Sequence, residues 1–197
     1  MMHRKIPIVT VLILALNVIG LIYEMAVGQS RAIYTYGMYQ GAIQDGEWAR
    51  TIVSAFLHFG FYHFGSNMIC LLIYGFDLER GLGSVKYALV YLCGIIGSAL
   101  LINFAGGRGI HAGASGAIWA LMTATVVFNY RHQLNPFYAL RGIAINLLYS
   151  FSSGVSWQGH IGGGIAGLAA AWFLCGNGSS SRRNWSGTVY HGEGRVE

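Results

Sequence analysis

Two predominantly apolar stretches, residues 6–27 and 85–105, are each long enough to cross a hydrocarbon core as a helix. A third, 56–76, is of similar length but contains two histidines and an asparagine. Shorter apolar runs follow at 115–130, 137–151 and 159–175. Six such runs in 197 residues predict an all-α, polytopic membrane protein, a bundle of six transmembrane helices. Composition agrees, with 54% hydrophobic and only 10% charged residues, where soluble domains carry about 25% charged.

Charge orients the spans. With six spans and an inside N-terminus, Arg4, Lys5, Arg80, Lys86, Arg131, Arg141, Arg182, Arg183 and Arg195 fall inside, and Arg31, Arg50 and Arg108 outside. That asymmetry follows the positive-inside rule, and dropping one span reverses every later loop and spoils it. The expectation is a multi-pass protein of a bacterial cell membrane with both termini cytoplasmic. Residues 1–35 form the N-terminus and first helix, 36–175 the core, and 176–197 a polar cytoplasmic tail. The N-terminus lacks a small-residue cleavage site, so the first span is expected to be retained.

The net charge of +5 does not imply nucleic-acid binding, because the basic residues form no stripe or recognition motif. Cys70, Cys93 and Cys175 lie in separate apolar runs without a CxxC pair and read as buried free thiols. HExxH and intramembrane carboxylate clusters are absent from the sequence, so neither a metal nor another cofactor is expected. A GxGxxG match at 162–167 follows no strand and lies inside a span, which argues against dinucleotide binding.

The informative polar residues in or beside spans are His63, Asn67, Ser115 and His160. Polar groups there are costly and face the bundle interior. The fourth run is short for a bilayer, and the glycine-rich segment 105–114 before it is poor helix material. Irregular backbone at membrane depth survives only inside protein or beside a water-filled cavity. Ser115 is therefore expected to start its helix below the outer surface, near water.

His63 and Asn67 stand four apart on one helical face, whereas His58 belongs to another face or to the preceding loop. His160, Gly163 and Gly167 share a face of the sixth span, and Gly116, Ala120 and Ala124 form a ridge behind Ser115. Two small-residue ridges let helices approach closely, which would bring His160 to Ser115. A neutral imidazole beside a serine hydroxyl is a general base beside a nucleophile. With no carboxylate in the middle of a span, the pair would be a dyad, and Trp119, one turn after Ser115, could hold the ring by packing. His63, Asn67 and the helix N-terminus offer donors for an oxyanion. Taken singly, Ser115 also reads as a helix cap and His63 or Asn67 as interhelical glue.

In these residues the chain resembles the rhomboid intramembrane serine proteases, from about Tyr36 to Phe173. The likeness is carried by EWAR (47–50), FLHFGFYHFGSNM (56–68), LERG (78–81), GASGAIWALM (113–122) and HIGGGIAG (160–167), in family order and spacing. The resemblance implies Ser115 as nucleophile and His160 as general base. It implies His63 and Asn67 as oxyanion donors, with the amides of Ala114 and Ser115 nearby. Gly113, Gly163, Gly167 and Trp119 support them. Trp119 stands where the family often has tyrosine, and Ala49 where tryptophan is usual, with Trp48 one place earlier.

The implied substrates are transmembrane proteins cut near the outer leaflet within the lipid bilayer. A rhomboid-like pseudoprotease that binds and escorts membrane proteins is the first rival reading. A small transporter is the second, opposed by the lack of an internal repeat and of intramembrane carboxylates. Residues 28–50 read as an outer loop lying partly in the membrane, and Ser152, Ser153 and Gly154 as a small cap over the site.

Overall fold

The computed structural model describes residues 6–150 and 156–176. The basic residues at 4 and 5, the cap at 152–154 and the tail from 177 onward lie outside the described residues. Eight α-helices are present among those described. Six are long: α1 (Ile8–Val27), α4 (Gly60–Leu82), α5 (Ser84–Ala105), α6 (Ser115–Arg131), α7 (Phe137–Ser150) and α8 (Trp157–Leu174). Two short ones, α2 (Gln29–Tyr36) and α3 (Arg50–Val53), lie between α1 and α4, and α3 runs into a 3-10 turn at Ser54–Phe56.

By length and composition α1 and α5 can each cross a membrane. The pair Arg50–Phe56 and Gly60–Leu82 qualifies together but is bent by 93°. The apolar run at 56–76 is therefore not one straight span. Its chain turns at 57–59, and Gly60, at φ +86°, starts α4 in a conformation that suits glycine. His58 lies in that turn.

The polarity of α1 is inverted relative to a soluble helix. Its buried stripe is Thr10, Ile13, Asn17, Gly20 and Glu24, while Ile8, Leu12, Ile19, Ile22 and Met25 are exposed. Polar groups turned inward and aliphatic groups outward suit a helix solvated by lipid. The start of α1 is held by Glu79, near the end of α4. The amides of Val9 and Thr10 donate to its carboxylate at 3.0 and 2.8 Å, and the Thr10 and Ser84 hydroxyls at 2.8 and 2.7 Å. Those two amides have no intrahelical acceptor, so a carboxylate there meets both the orphan donors and the positive helix end.

At the centre, α6 is buried on nearly all sides, packed between α5 and α8 and against α4. Glycines set the spacing. A Cβ added at Gly97 of α5 would lie 2.6 Å from the Gly162 carbonyl oxygen of α8. One added at Gly94 would lie 2.9 Å from the Ala117 Cα of α6. Backbones this close exchange dispersion contacts along whole helix turns. α7 packs chiefly on α6 and meets α4 through stacked Tyr74 and Tyr138 rings, 6.1 Å apart.

The segment read as an outer loop contains α2 and one small strand. β1 (Met38–Tyr39) pairs antiparallel with β2 (Ile110–His111), tying this segment to the glycine-rich approach to Ser115. Arg50 fastens its other end, donating to the carbonyls of Tyr34 and Gly37, each at 2.9 Å, and lying over the Tyr39 ring.

Candidate active site

Ser115 is the first residue of α6, and Ala114 occupies the cap position with no side-chain capping bond. The serine hydroxyl is thus not spent on the helix end. It lies 2.9 Å from His160 Nε2. His160 sits in the first turn of α8, where the Ser156 hydroxyl at the cap accepts the Gly159 amide at 3.3 Å. The ring is buried, and Trp119 stacks on it at 5.4 Å between centroids and 20° between planes.

The contact exists because α6 and α8 touch through backbone. A Cβ at Gly163 would collide with the Gly116 carbonyl, and one at Gly167 with the backbone and methyl of Ala120. These are the two small-residue ridges read from the sequence. Each residue places its neighbour: Gly116 follows Ser115, and Gly163 is one turn after His160.

His63 and Asn67 converge on Gly113, two residues before Ser115. A Cβ built there would lie 2.9 Å from His63 Nε2 and 3.6 Å from Asn67 Nδ2. Gly113 has φ +136° and donates its amide to the Ser54 carbonyl at 2.9 Å. Lack of a side chain is therefore required twice at this position, by conformation and by space. Asn67 Nδ2 is buried without a hydrogen-bond partner, an uncompensated donor of the kind found at functional sites.

A cavity of about 30 Å³ adjoins Ser115, lined in part by Thr51, Ser54, Ser98, His111 and Ser156. That is room for about one or two waters among polar partners. None of these lining residues stood out in the sequence. A signal did exist at Ser98, a hydroxyl four residues after Gly94 in the middle of a mostly apolar span. His111, in the loop before α6, sends its Nε2–H to the Gly106 carbonyl at 3.2 Å, and burial holds its pKa below the ordinary histidine range. Among the described residues no group of three His, Cys, Asp or Glu side chains is arranged to hold a metal.

The fold is that of an all-α polytopic membrane protein, with a serine hydroxyl and an imidazole in hydrogen-bond contact between two glycine-packed helices. The family model described as the Rhomboid domain matches residues 45–177. The chain belongs to the rhomboid family. It is 36% identical over 131 residues to Rhomboid-type serine protease 2 of Emericella nidulans, covering 62% of this chain and 26% of that protein. It is 37% identical over 139 residues to Rhomboid protease GluP of Bacillus subtilis, covering 66% of this chain and 26% of GluP. YdcA of Bacillus subtilis is 30% identical over 181 residues, 87% of this chain and 90% of its own length. The chain thus spans about a quarter of the first two relatives and nearly all of the third.

Proposed function

We propose that the chain is an intramembrane serine endopeptidase acting on transmembrane or membrane-adjacent segments of other membrane proteins. The single observation that carries this is the 2.9 Å contact between Ser115 Oγ and His160 Nε2. In the reaction, Ser115 Oγ attacks the scissile carbonyl carbon as its proton passes to His160 Nε2. The tetrahedral oxyanion is held by His63 Nε2–H, Asn67 Nδ2 and the amides at the start of α6, those of Ala114 and Ser115. Collapse breaks the C–N bond, and His160 returns the proton to the leaving amine. Water then attacks the acyl-enzyme with His160 again as base, and Ser115 is regenerated. Trp119 fixes the imidazole plane, while Gly113, Gly163 and Gly167 allow the close approaches.

The proposed topology has six spans, with both termini on the cytoplasmic side of a bacterial cell membrane. Residues 1–35 make the N-terminus and first transmembrane helix, 36–175 the protease core and 176–197 a polar tail. By family likeness, the substrates are single-span proteins with small, helix-destabilising residues at the cut.

A fluorophosphonate probe tests the reading. The purified chain should be labelled covalently and should cleave a model transmembrane substrate, and Ser115→Ala should do neither. Unlabelled, inactive wild-type protein that still binds membrane proteins would mean a catalytically silent rhomboid-like factor.

A further inference from the structure

A chain of hydrogen bonds runs from the first two helices to His63. Glu24, near the end of α1, is buried, and its Oε1 accepts the His58 backbone N–H at 2.7 Å. Gln29, the first residue of α2, donates from Nε2 to the His58 carbonyl at 3.0 Å. The backbone on both sides of the His58 Cα is therefore clamped from outside its own segment. The next amide, that of Phe59, donates to His63 Nδ1 at 3.3 Å. A nitrogen that accepts an N–H carries no proton, so the neutral His63 ring bears its proton on Nε2. Nε2 and the adjoining Cε1 are the ring atoms that face Gly113, 2.9 and 2.7 Å from where its Cβ would stand.

Packing reinforces the same orientation. The fully buried His58 ring meets His63 edge-on at 5.2 Å, and the Phe59 ring lies nearly parallel to His63 at 6.2 Å. Glu24 is costly where it stands, since its Oε2 is buried without a hydrogen-bond partner. A leucine would avoid that cost. What leucine lacks is an acceptor for the His58 amide.

We propose that Glu24 and Gln29 are positioning residues for the cleavage reaction. By clamping the His58 peptides they aim the Phe59 amide at His63 Nδ1, and so hold Nε2–H toward the oxyanion. This rests on the hydrolase reading of Ser115. It extends that site to α1 and α2, neither of which touches the reacting atoms.

The test uses the full chain, purified, with a model transmembrane substrate. Glu24→Gln, Glu24→Leu and Gln29→Ala are each made alone and with His63→Ala. Turnover, KM, fluorophosphonate labelling and thermal unfolding are recorded. Glu24→Gln keeps a carbonyl acceptor and should retain most of the turnover. Glu24→Leu should lower kcat roughly ten- to a hundredfold at similar KM, the cost of a misaimed donor, with Ser115 still labelled. On the His63→Ala background the same change should cost less than about twofold more, because residues acting through one group are not additive. If Glu24→Leu does not fold, exposed Gln29→Ala carries the same cycle, with a several-fold loss expected that vanishes without His63. Unchanged kcat in the single variants, or losses that multiply fully on His63→Ala, would overturn the proposal. Wild-type protein that neither labels nor cleaves would instead overturn the hydrolase reading, and this inference with it.

Discussion

Trp119 and His160 lie nearly parallel, 20° apart in plane and 5.4 Å apart in centroid, so an indole from α6 covers the imidazole from α8. The indole N–H is buried and has no hydrogen-bond partner. Stacking is therefore what Trp119 offers His160, and the N–H is an uncompensated cost. Trp119→Phe should keep turnover within about threefold and leave thermal stability equal or higher, since it deletes that donor and keeps an aromatic face. Trp119→Ala should lower turnover by roughly a hundredfold by freeing the ring. A Phe variant as inactive as Ala would show that the N–H is used.

The Ser115–His160 pair predicts an all-or-none response. Ser115→Ala and His160→Ala should each abolish cleavage of a model transmembrane substrate and probe labelling, and a chelator should have no effect. Full cleavage by Ser115→Ala would place the nucleophile elsewhere.

His63 and Asn67 should behave differently from the dyad. Loss of one oxyanion donor costs roughly 10²–10³ in rate while others still hold the charge. Asn67→Ala and His63→Ala should each slow turnover and leave Ser115 labelled, and the double variant should cost less than the product of the two. A fall in thermal stability without a fall in turnover per folded molecule would make them interhelical contacts only.

Glu79 predicts a stability effect separate from chemistry. Glu79→Ala removes the acceptor for two amides and two hydroxyls at the α1–α4–α5 junction. Loss of a helix cap of this kind costs about 1–2 kcal/mol, more where the partners stay buried. Thermal unfolding should drop while kcat per folded molecule stays near that of the parent.

Topology is checked from the two sides of the membrane. A reporter fused after Glu197 should be cytoplasmic, and a cysteine placed at Ser30 should react with an impermeant reagent from outside. A reporter found outside would mean an odd number of spans.

The helices most legible in the sequence were those whose signal is continuous. α1 and α5 lie within a residue or two of their apolar runs, because lipid imposes one composition along a whole span. The ridges at Gly116–Ala120 and Gly163–Gly167 were legible as well, since helical spacing alone puts them on faces. The bend at 57–59 was not: apolar residues continue across it, while extended Leu57, the φ of Gly60 and the bonds of His58 to Glu24 and Gln29 break the helix there. The β1–β2 pair was equally hidden, because two residues show no alternation and the partners lie some 70 residues apart. Glu24 and Glu79 did not stand out in the sequence, because their partners come from other parts of the chain.

The packing of Gly163 against Gly116, and of Gly167 against Ala120, also limits how this chain can vary. Every amino acid one nucleotide away from glycine carries a Cβ, and at Gly163 and Gly167 that atom meets backbone, which has no rotamer to turn aside. Where a side chain already stands, a mutation trades one side-chain shape for another, and neighbours can repack. At these crossings no small step exists. The route to a differently packed pair of helices begins with a separated Ser115 and His160, so the two positions have no neutral neighbours in sequence space.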